Sequence, residues 1–319
     1  MEFGFELALC THLEAQTDAV IARQLGGAVA EPGSRIVDVC LLEPGPAFDR
    51  RTAITSAAIP LAAIESDVGT GAAVRPGSAF DCHPDRARSV TDRAIDIGFF
   101  ASERRGGRRY VRQATRYPER WFDGLVAIEN KPDLGRPGDL ERQLRLDVSL
   151  ALFEEVILAT ESYVTRAHLN RLPPEVGVWR FDLDGRELTV IREPEPLPVD
   201  ESGVEPIAYN PLSTDIETVT PDAKRRKRLR IAERAYGKGW RTYDMPACEH
   251  AEATEAGLPY CSAYDRIVDP ATDCGTDCPR HEPADQPAVD LAALRDDRSP
   301  WVRDPDGVVK RQAGLDRFG

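Results

Sequence analysis

Lysine is nearly missing from this chain. Of 41 basic residues in 319, 36 are Arg and five are Lys, and Lys131 is the only lysine in the first 223 positions. Long apolar runs are missing too. None approaches the ~20 residues of a membrane-crossing helix, and the opening Met-Glu-Phe-Gly-Phe-Glu lacks the basic start of a secretory signal. The expected location is cytoplasmic, with no membrane partner and with the seven cysteines reduced or on metal. No G-x-x-x-x-G-K-[ST] phosphate loop or G-x-G-x-x-G fingerprint occurs, and the five His are dispersed, which gives no support to nucleotide-loop chemistry or to a Ser-His-Asp or Cys-His nucleophile.

What is present is acid. Asp and Glu number 54, the formal net charge is −13 and the pI is near 5.0. An acidic, Arg-rich, Lys-poor composition resembles that of proteins from extreme halophiles, although a GC-rich genome also produces part of such a bias. Net negative charge therefore does not exclude a nucleic-acid partner: at molar salt the Debye length is roughly 3 Å, and close contacts decide binding.

The basic residues cluster. Residues 99–120 carry seven Arg, at 104, 105, 108, 109, 112, 116 and 120, against two Glu, a net of +5. Residues 222–243 carry nine Lys or Arg against two acids, a net of +7, which leaves −25 on the rest. A solvated charged face is the ordinary meaning of such runs; on so acidic a body, contact with a polyanion is the competing one. In the first island, Pro84 to Ile97 has apolar residues at helical spacing, and two strand-like runs, Phe99–Arg105 and Arg108–Gln113, flank Gly106-Gly107, a pair suited to a two-residue hairpin turn. With the Ala-rich helical stretch over Ala53–Ser66, this resembles a winged helix-turn-helix, in which a helix enters the major groove and the wing lies along phosphates. Arg104, Arg105, Arg108, Arg109 and Arg112, with Lys224, Arg225, Arg226, Lys227 and Arg228 of the second island, are the expected DNA-binding residues.

Around this insertion the pattern is α/β, a mixed sheet flanked by helices. Helices are expected over Phe5–Ala15, Asp139–Phe153 and Val164–Arg171. Strands are expected over Ile36–Leu42, Leu125–Ile128, Val156–Thr160, Gly177–Leu183 and Glu187–Arg192. The division that follows is 1–50 and 119–192 as one core, 51–118 as the winged-helix-like insertion, 193–222 as a proline-rich linker, 223–282 as a basic helix with a Cys-rich metal module, and 283–319 as a polar tail.

The most specific short feature is Gly-Leu-Val-Ala-Ile-Glu-Asn-Lys, residues 124–131, an apolar strand ending in Glu-x-Lys. Alternation sends Glu129 and Lys131 to one side and Asn130 to the other. A strand-edge ion pair is the plain explanation. Against it stands the retention of one Lys where nearly every other cation is Arg, as if a compact ammonium were needed.

This arrangement resembles the PD-(D/E)XK nuclease superfamily, with a restriction-endonuclease-like fold, over roughly residues 3–192. The resemblance implies that Asp38, in Arg35-Ile-Val-Asp38-Val, and Glu129 bind Mg²⁺ or Mn²⁺, while Lys131 orients the attacking water and stabilises charge on the phosphate. It also places Glu6 on the first helix and Gln143 on the helix after Glu-x-Lys, with Asp147 one turn beyond, as accessory site residues. The 90 residues between Asp38 and Glu129 exceed the usual spacing, and the insertion accounts for them. Asp123 is nearer in sequence, but six residues of strand span ~20 Å, too far to share a metal. The chain is also similar to an uncharacterised haloarchaeal family of unknown function. The expected activity is Mg²⁺-dependent hydrolysis of DNA phosphodiesters; the alternatives are a catalytically inactive nuclease-fold DNA-binding regulator and a metal-stapled scaffold for nucleic acid or protein.

Cys248, Cys261, Cys274 and Cys278 lie within 31 residues, spaced C-x12-C-x12-C-x3-C. Four soft ligands so grouped suit Zn²⁺, with His250 or His281 able to replace a thiol; the superfamily resemblance adds a [4Fe-4S] cluster as an alternative, and unligated cysteines are the third. Cys10 and Cys40 are expected as core thiols, and Cys82 as incidental.

Overall fold

A computed structural model describes residues 2–31, 33–52, 60–64, 66–69, 71–80, 82–96, 99–114, 120–183 and 185–299. Phe5, Leu7, Leu9, Cys10 and Leu13 are buried on helix α1 (Glu2–Gln16), followed by strands β1 (Val20–Gly26) and β2 (Ile36–Pro44) and a short helix α2 (Phe48–Thr52). The insertion holds α3 (Leu61–Ile64), α4 (Pro76–Ala79), α5 (Pro84–Asp96), β3 (Phe100–Arg105) and β4 (Arg108–Gln113). The chain continues through β5 (Phe122–Asn130), α6 (Leu140–Leu150), β6 (Glu155–Thr160), α7 (Arg166–Leu169), β7 (Gly177–Asp182) and β8 (Glu187–Arg192). After these come β9 (Gly203–Tyr209), β10 (Thr214–Val219), α8 (Pro221–Lys238), β11 (Ala251–Ala253), β12 (Pro259–Cys261), β13 (Arg266–Ile267) and α9 (Leu291–Arg298).

The α/β class holds. Six strands form one mixed sheet in the order β1-β2-β5-β6-β7-β8, with β2 antiparallel to both neighbours, β5, β6 and β7 parallel, and β8 antiparallel to β7. Alternation along the strands splits the apolar residues between two faces. On one, Ala22, Cys40, Leu42, Leu125, Ala127 and Leu158 meet α6 and α8; on the other, Ile21, Val39, Leu41, Val126, Ile128 and Ile157 meet α1 and the segment after Gly239. Burial pushes the Cys40 thiol up to about 12 and raises that of Cys10 well above its usual value, the condition of core thiols.

The insertion has an apolar cluster of its own, built on Ala63, Val68, Ala79, Ala94, Phe99, Phe100 and Val111. Gly106 and Gly107, at φ +57 and +76, turn β3 into β4 as the Gly-Gly pair requires. Of the helical stretch expected over 53–66, only residues 60–64 and 66 are described.

Three boundaries need correction. The supposed linker 193–222 contains the β9–β10 hairpin, which packs on α6 so closely that a Cβ at Gly203 would collide with the Leu150 carbonyl. Its Glu205, 1 % exposed, accepts hydrogen bonds from the backbone N–H groups of Val29 and Ala30, both at 2.8 Å. Proline misled the expectation because Pro206 sits beside a register shift, where a missing donor is tolerated. The basic helix α8 belongs to the core rather than to a separate module: Ile231, Ala232, Ala235 and Tyr236 lie in the main apolar cluster. The tail too is structured as far as residue 299: Val289 and Leu291 pack on the α1 side, and Asp290 caps α9 through Ala293 N (2.9 Å).

Candidate active site

The register of β2 against β5, Val39 opposite Ile128, carries on to set Asp38 against Glu129 at the strand ends. The two residues 90 apart in sequence are thus neighbours across one ladder, and the Asn130 N–H donates to Asp38 Oδ2 at 2.9 Å. Glu129 is buried, and its Oε2 accepts from Arg35 Nη2 at 2.7 Å. The same guanidinium holds Asp147 of α6, with Nε 3.0 Å from Oδ1 and Nη2 2.6 Å from Oδ2. From the opposite face α1 brings in Glu6, buried and bonded by Arg23 Nε. Gln24 Nε2 lies 3.3 and 3.4 Å from the two Glu6 oxygens and 3.5 Å from Asp38 Oδ1, so one side-chain amide spans two carboxylates.

Gln24 reaches that position at φ +55, a left-handed conformation that costs a non-glycine residue about 1–2 kcal/mol. Its carbonyl accepts from Lys238 Nζ at 2.8 Å. The strained conformation is what puts the Gln24 amide within reach of both the Glu6 and the Asp38 carboxylates.

Of the expected site residues, Asp38, Glu129 and Glu6 are brought together. Lys131 stands at the rim: its backbone N–H donates to Ala159 O at 2.9 Å, and its ammonium, partly exposed, lies 3.1 Å from Glu2 Oε1 rather than on Glu129. Glu2 and Glu6 are one turn apart on α1, so Lys131 and Asp38 face the same stripe of that helix. Gln143 is half-buried on α6, one turn before Asp147. Asn130 is 2 % exposed, and neither polar atom of its side chain has a hydrogen-bond partner. Arg35, Gln24, Arg23 and Glu2 were not anticipated. Arg23-Gln24, a polar pair breaking the apolar run of β1, was the available signal.

The electrostatics are those of crowded acids. Burial, then the charge of Glu6, lifts the Asp38 carboxyl to about 6; burial, then the charge of Asp38, lifts Glu129 to about 8. Asp147 is raised as well, by burial. Asp38 and Glu129 each resist ionising because both are buried and each lies close to another acid.

The expected DNA contacts divide. Arg104, Arg105, Arg108, Arg109 and Arg112 are exposed on the β3–β4 hairpin, where Arg104 faces Arg109 and Arg105 faces Arg108 across the strands. On α8, Arg225 and Arg226 are exposed and Lys227 is half-buried. Lys224 and Arg228 are interior residues and are withdrawn from a DNA surface. Lys224 is fully buried and donates to Pro198 O at 3.0 Å; Arg228 donates to Leu152 O at 2.6 Å and pairs with Glu154.

Cys248, Cys261, Cys274 and Cys278 line one cavity of about 30 Å³. His281 lines it too, whereas His250 is directed to Glu282, with Nε2 3.4 Å from Oε1. Among the described residues no three or more His, Cys, Asp or Glu stand as a ready metal-ligand set, at the thiols or at the carboxylates. Burial, then the nearby Cys261, holds the Cys274 thiol up at about 11.

Residues 20–283 match DUF5787, a family of unknown function. The chain belongs to that family. The matched span contains Asp38, Glu129, Lys131 and all four cavity cysteines, and stops short of α1. No curated protein and no solved structure matches the chain.

Proposed function

We propose that this DUF5787 member is a metal-dependent nuclease acting on DNA. The observation that carries the reading is the meeting of Asp38, Glu129 and Glu6 at the ends of β1, β2 and β5, with two carboxyls pushed up by burial and mutual repulsion. The resemblance to PD-(D/E)XK nucleases gives those positions their roles, and adjacent strands carrying Asp38 and Glu-x-Lys agree with it. Hard carboxylate oxygens fit Mg²⁺ or Mn²⁺, which when bound supplies charge neutralisation at the phosphate and a more acidic water.

The chain's own residues do the rest. Asp38 is oriented by the Asn130 N–H and by Gln24, and Glu129 is fixed by the Arg35 fork that also grips Asp147. Lys131, exchanging Glu2 for a phosphate oxygen, places its ammonium beside the scissile group. Under this proposal the exposed arginines of the β3–β4 hairpin hold the DNA backbone, and the inserted segment acts as a winged helix with that hairpin as its wing. In this reading the protein works in the cytoplasm of a salt-adapted cell.

A supercoiled-plasmid assay with Mg²⁺ or Mn²⁺ in molar KCl tests the proposal. Nicking or linearisation is expected from the wild type and is lost in Asp38→Asn, Glu129→Gln and Lys131→Ala, with DNA binding retained. Cleavage surviving all three overturns the site. The second reading, a DNA-binding regulator without cleavage, draws on the ion pairs already occupying Glu129 and Lys131; it is upheld by wild-type DNA binding with no cleavage.

A further inference from the structure

We infer that Cys248, Cys261, Cys274 and Cys278 form a structural Zn²⁺ site, one ion held by four thiolates. The inference stands apart from the carboxylate site, because a different lobe and different chemistry carry it. Three short strands build that lobe: β11 pairs with β12 and β12 with β13, and Cys261 ends the central strand. Cys248 precedes β11 and bridges to Pro283, with Glu249 N donating to Glu282 O at 2.8 Å, so the first cysteine is tied to the segment just beyond the last. Asp269 and Asp273 close a turn on each other, through Asp273 N to Asp269 O at 2.7 Å and Asp269 N to Asp273 Oδ2 at 2.9 Å, which presents Cys274. Gly275, at φ +140, then bends the chain, and Cys278 N donates to Gly275 O at 3.0 Å, returning Cys278 to the same cavity.

Four cysteines from three separate segments thus reach one small space, and none forms a disulfide. The lobe's apolar residues, among them Ala256, Leu258 and Ile267, pack toward α1, so packing does not account for four partly exposed thiols gathered around a separate cavity. Metal coordination does, because four thiolates from separate segments cross-link the short strands. Charge and size choose the ion. A tetrathiolate zinc centre carries two negative charges, and Arg266 and Arg280 line the cavity to offset them, although Arg266 is shared with Asp273 at 3.2 Å. The small space among the four thiols suits a single ion drawing the sulfurs inward.

Metal analysis of the full chain, purified with a thiol reductant and without chelator, is expected to return one zinc per chain. C274S and C278S should lose it, and H281A should keep it. Should the cysteine variants fail to fold, cobalt exchange into the wild-type chain decides: the intense near-ultraviolet thiolate-to-cobalt bands of a tetrahedral all-sulfur site are expected. A second readout counts thiols. In the native protein four should become reactive only when a chelator is added, Cys82 reacting before and buried Cys10 and Cys40 only on unfolding. Metal-free protein, an iron–sulfur chromophore, zinc retained by a C274S/C278S double variant, or zinc lost from H281A would each overturn the assignment.

Discussion

The two basic islands look alike in composition and have opposite fates. In the β3–β4 hairpin the guanidinium groups lie outside, and two pairs of them face each other across the strands. In α8 much of the charge is turned inward. Lys224, Arg228 and Lys238 are buried beside Ile231 and Ala235, at spacings that place them on one helical stripe. Glu233, wholly buried, is paired with Arg51, also wholly buried, whose guanidinium lies 4.7 Å from the Tyr236 ring centroid. The net charge of a window therefore says little about its use; the geometry of its element decides. A two-residue hairpin tip has no interior in which to hide a cation, whereas a helix over a sheet always has one.

The sharpest way to break this contrast is to remove a buried partner. Glu233→Ala takes away the carboxylate paired with the buried Arg51 guanidinium and is expected to cost ~3–5 kcal/mol in denaturant unfolding, since breaking a buried ion pair by removing one partner is expensive; a loss below ~1 kcal/mol would mean that the interior pairing of α8 is incidental. A smaller effect concerns pH at the carboxylates. Asp38 and Glu129 keep protons in the folded state that the unfolded chain has released, so their contribution to stability is full below the unfolded carboxylate range and declines as pH rises through about 6 and then about 8. Mg²⁺ should therefore raise Tm little near about pH 5 and progressively more up to about pH 9, with Asp38→Asn flattening the trend; a shift independent of pH would contradict metal binding at these groups. The smallest change is expected in the hairpin. Arg104→Ala and Arg109→Ala should alter stability by no more than ~0.5 kcal/mol, while each lowers the slope of log K for DNA against log salt by about 0.9. An unchanged slope would remove the hairpin from the DNA surface.

Much of the fold was legible because its strands are apolar and its helices periodic. Ile36–Leu42 lies within β2, Leu125–Ile128 within β5, and the hairpin ends agree with β3 and β4. β1 was not legible, since Arg23 and Gln24 interrupt its apolar run, and those same two side chains serve the site. The β9–β10 hairpin was hidden by proline and acid, and its main anchor, Glu205, is a carboxylate whose partners are backbone N–H groups 174 to 176 residues away. At the site, the apolar strand ending in Glu-x-Lys pointed to Glu129, and the resemblance to PD-(D/E)XK nucleases pointed to Asp38 and Glu6; the fold shows that the three are near one another. The Arg35 fork was beyond reach, because its two acids come from different elements and only the folded chain shows that one guanidinium serves both.

Helix α1 has the carboxylates Glu2 and Glu6 toward the strand ends, and between them Gly4 rests on β13 of the cysteine lobe: a Cβ placed on Gly4 would lie 3.5 Å from Ile267 Cβ. With no side chain there as padding, the helix is a party wall between two compartments. The cysteine lobe and the grouped acids thus share one helix as their common boundary.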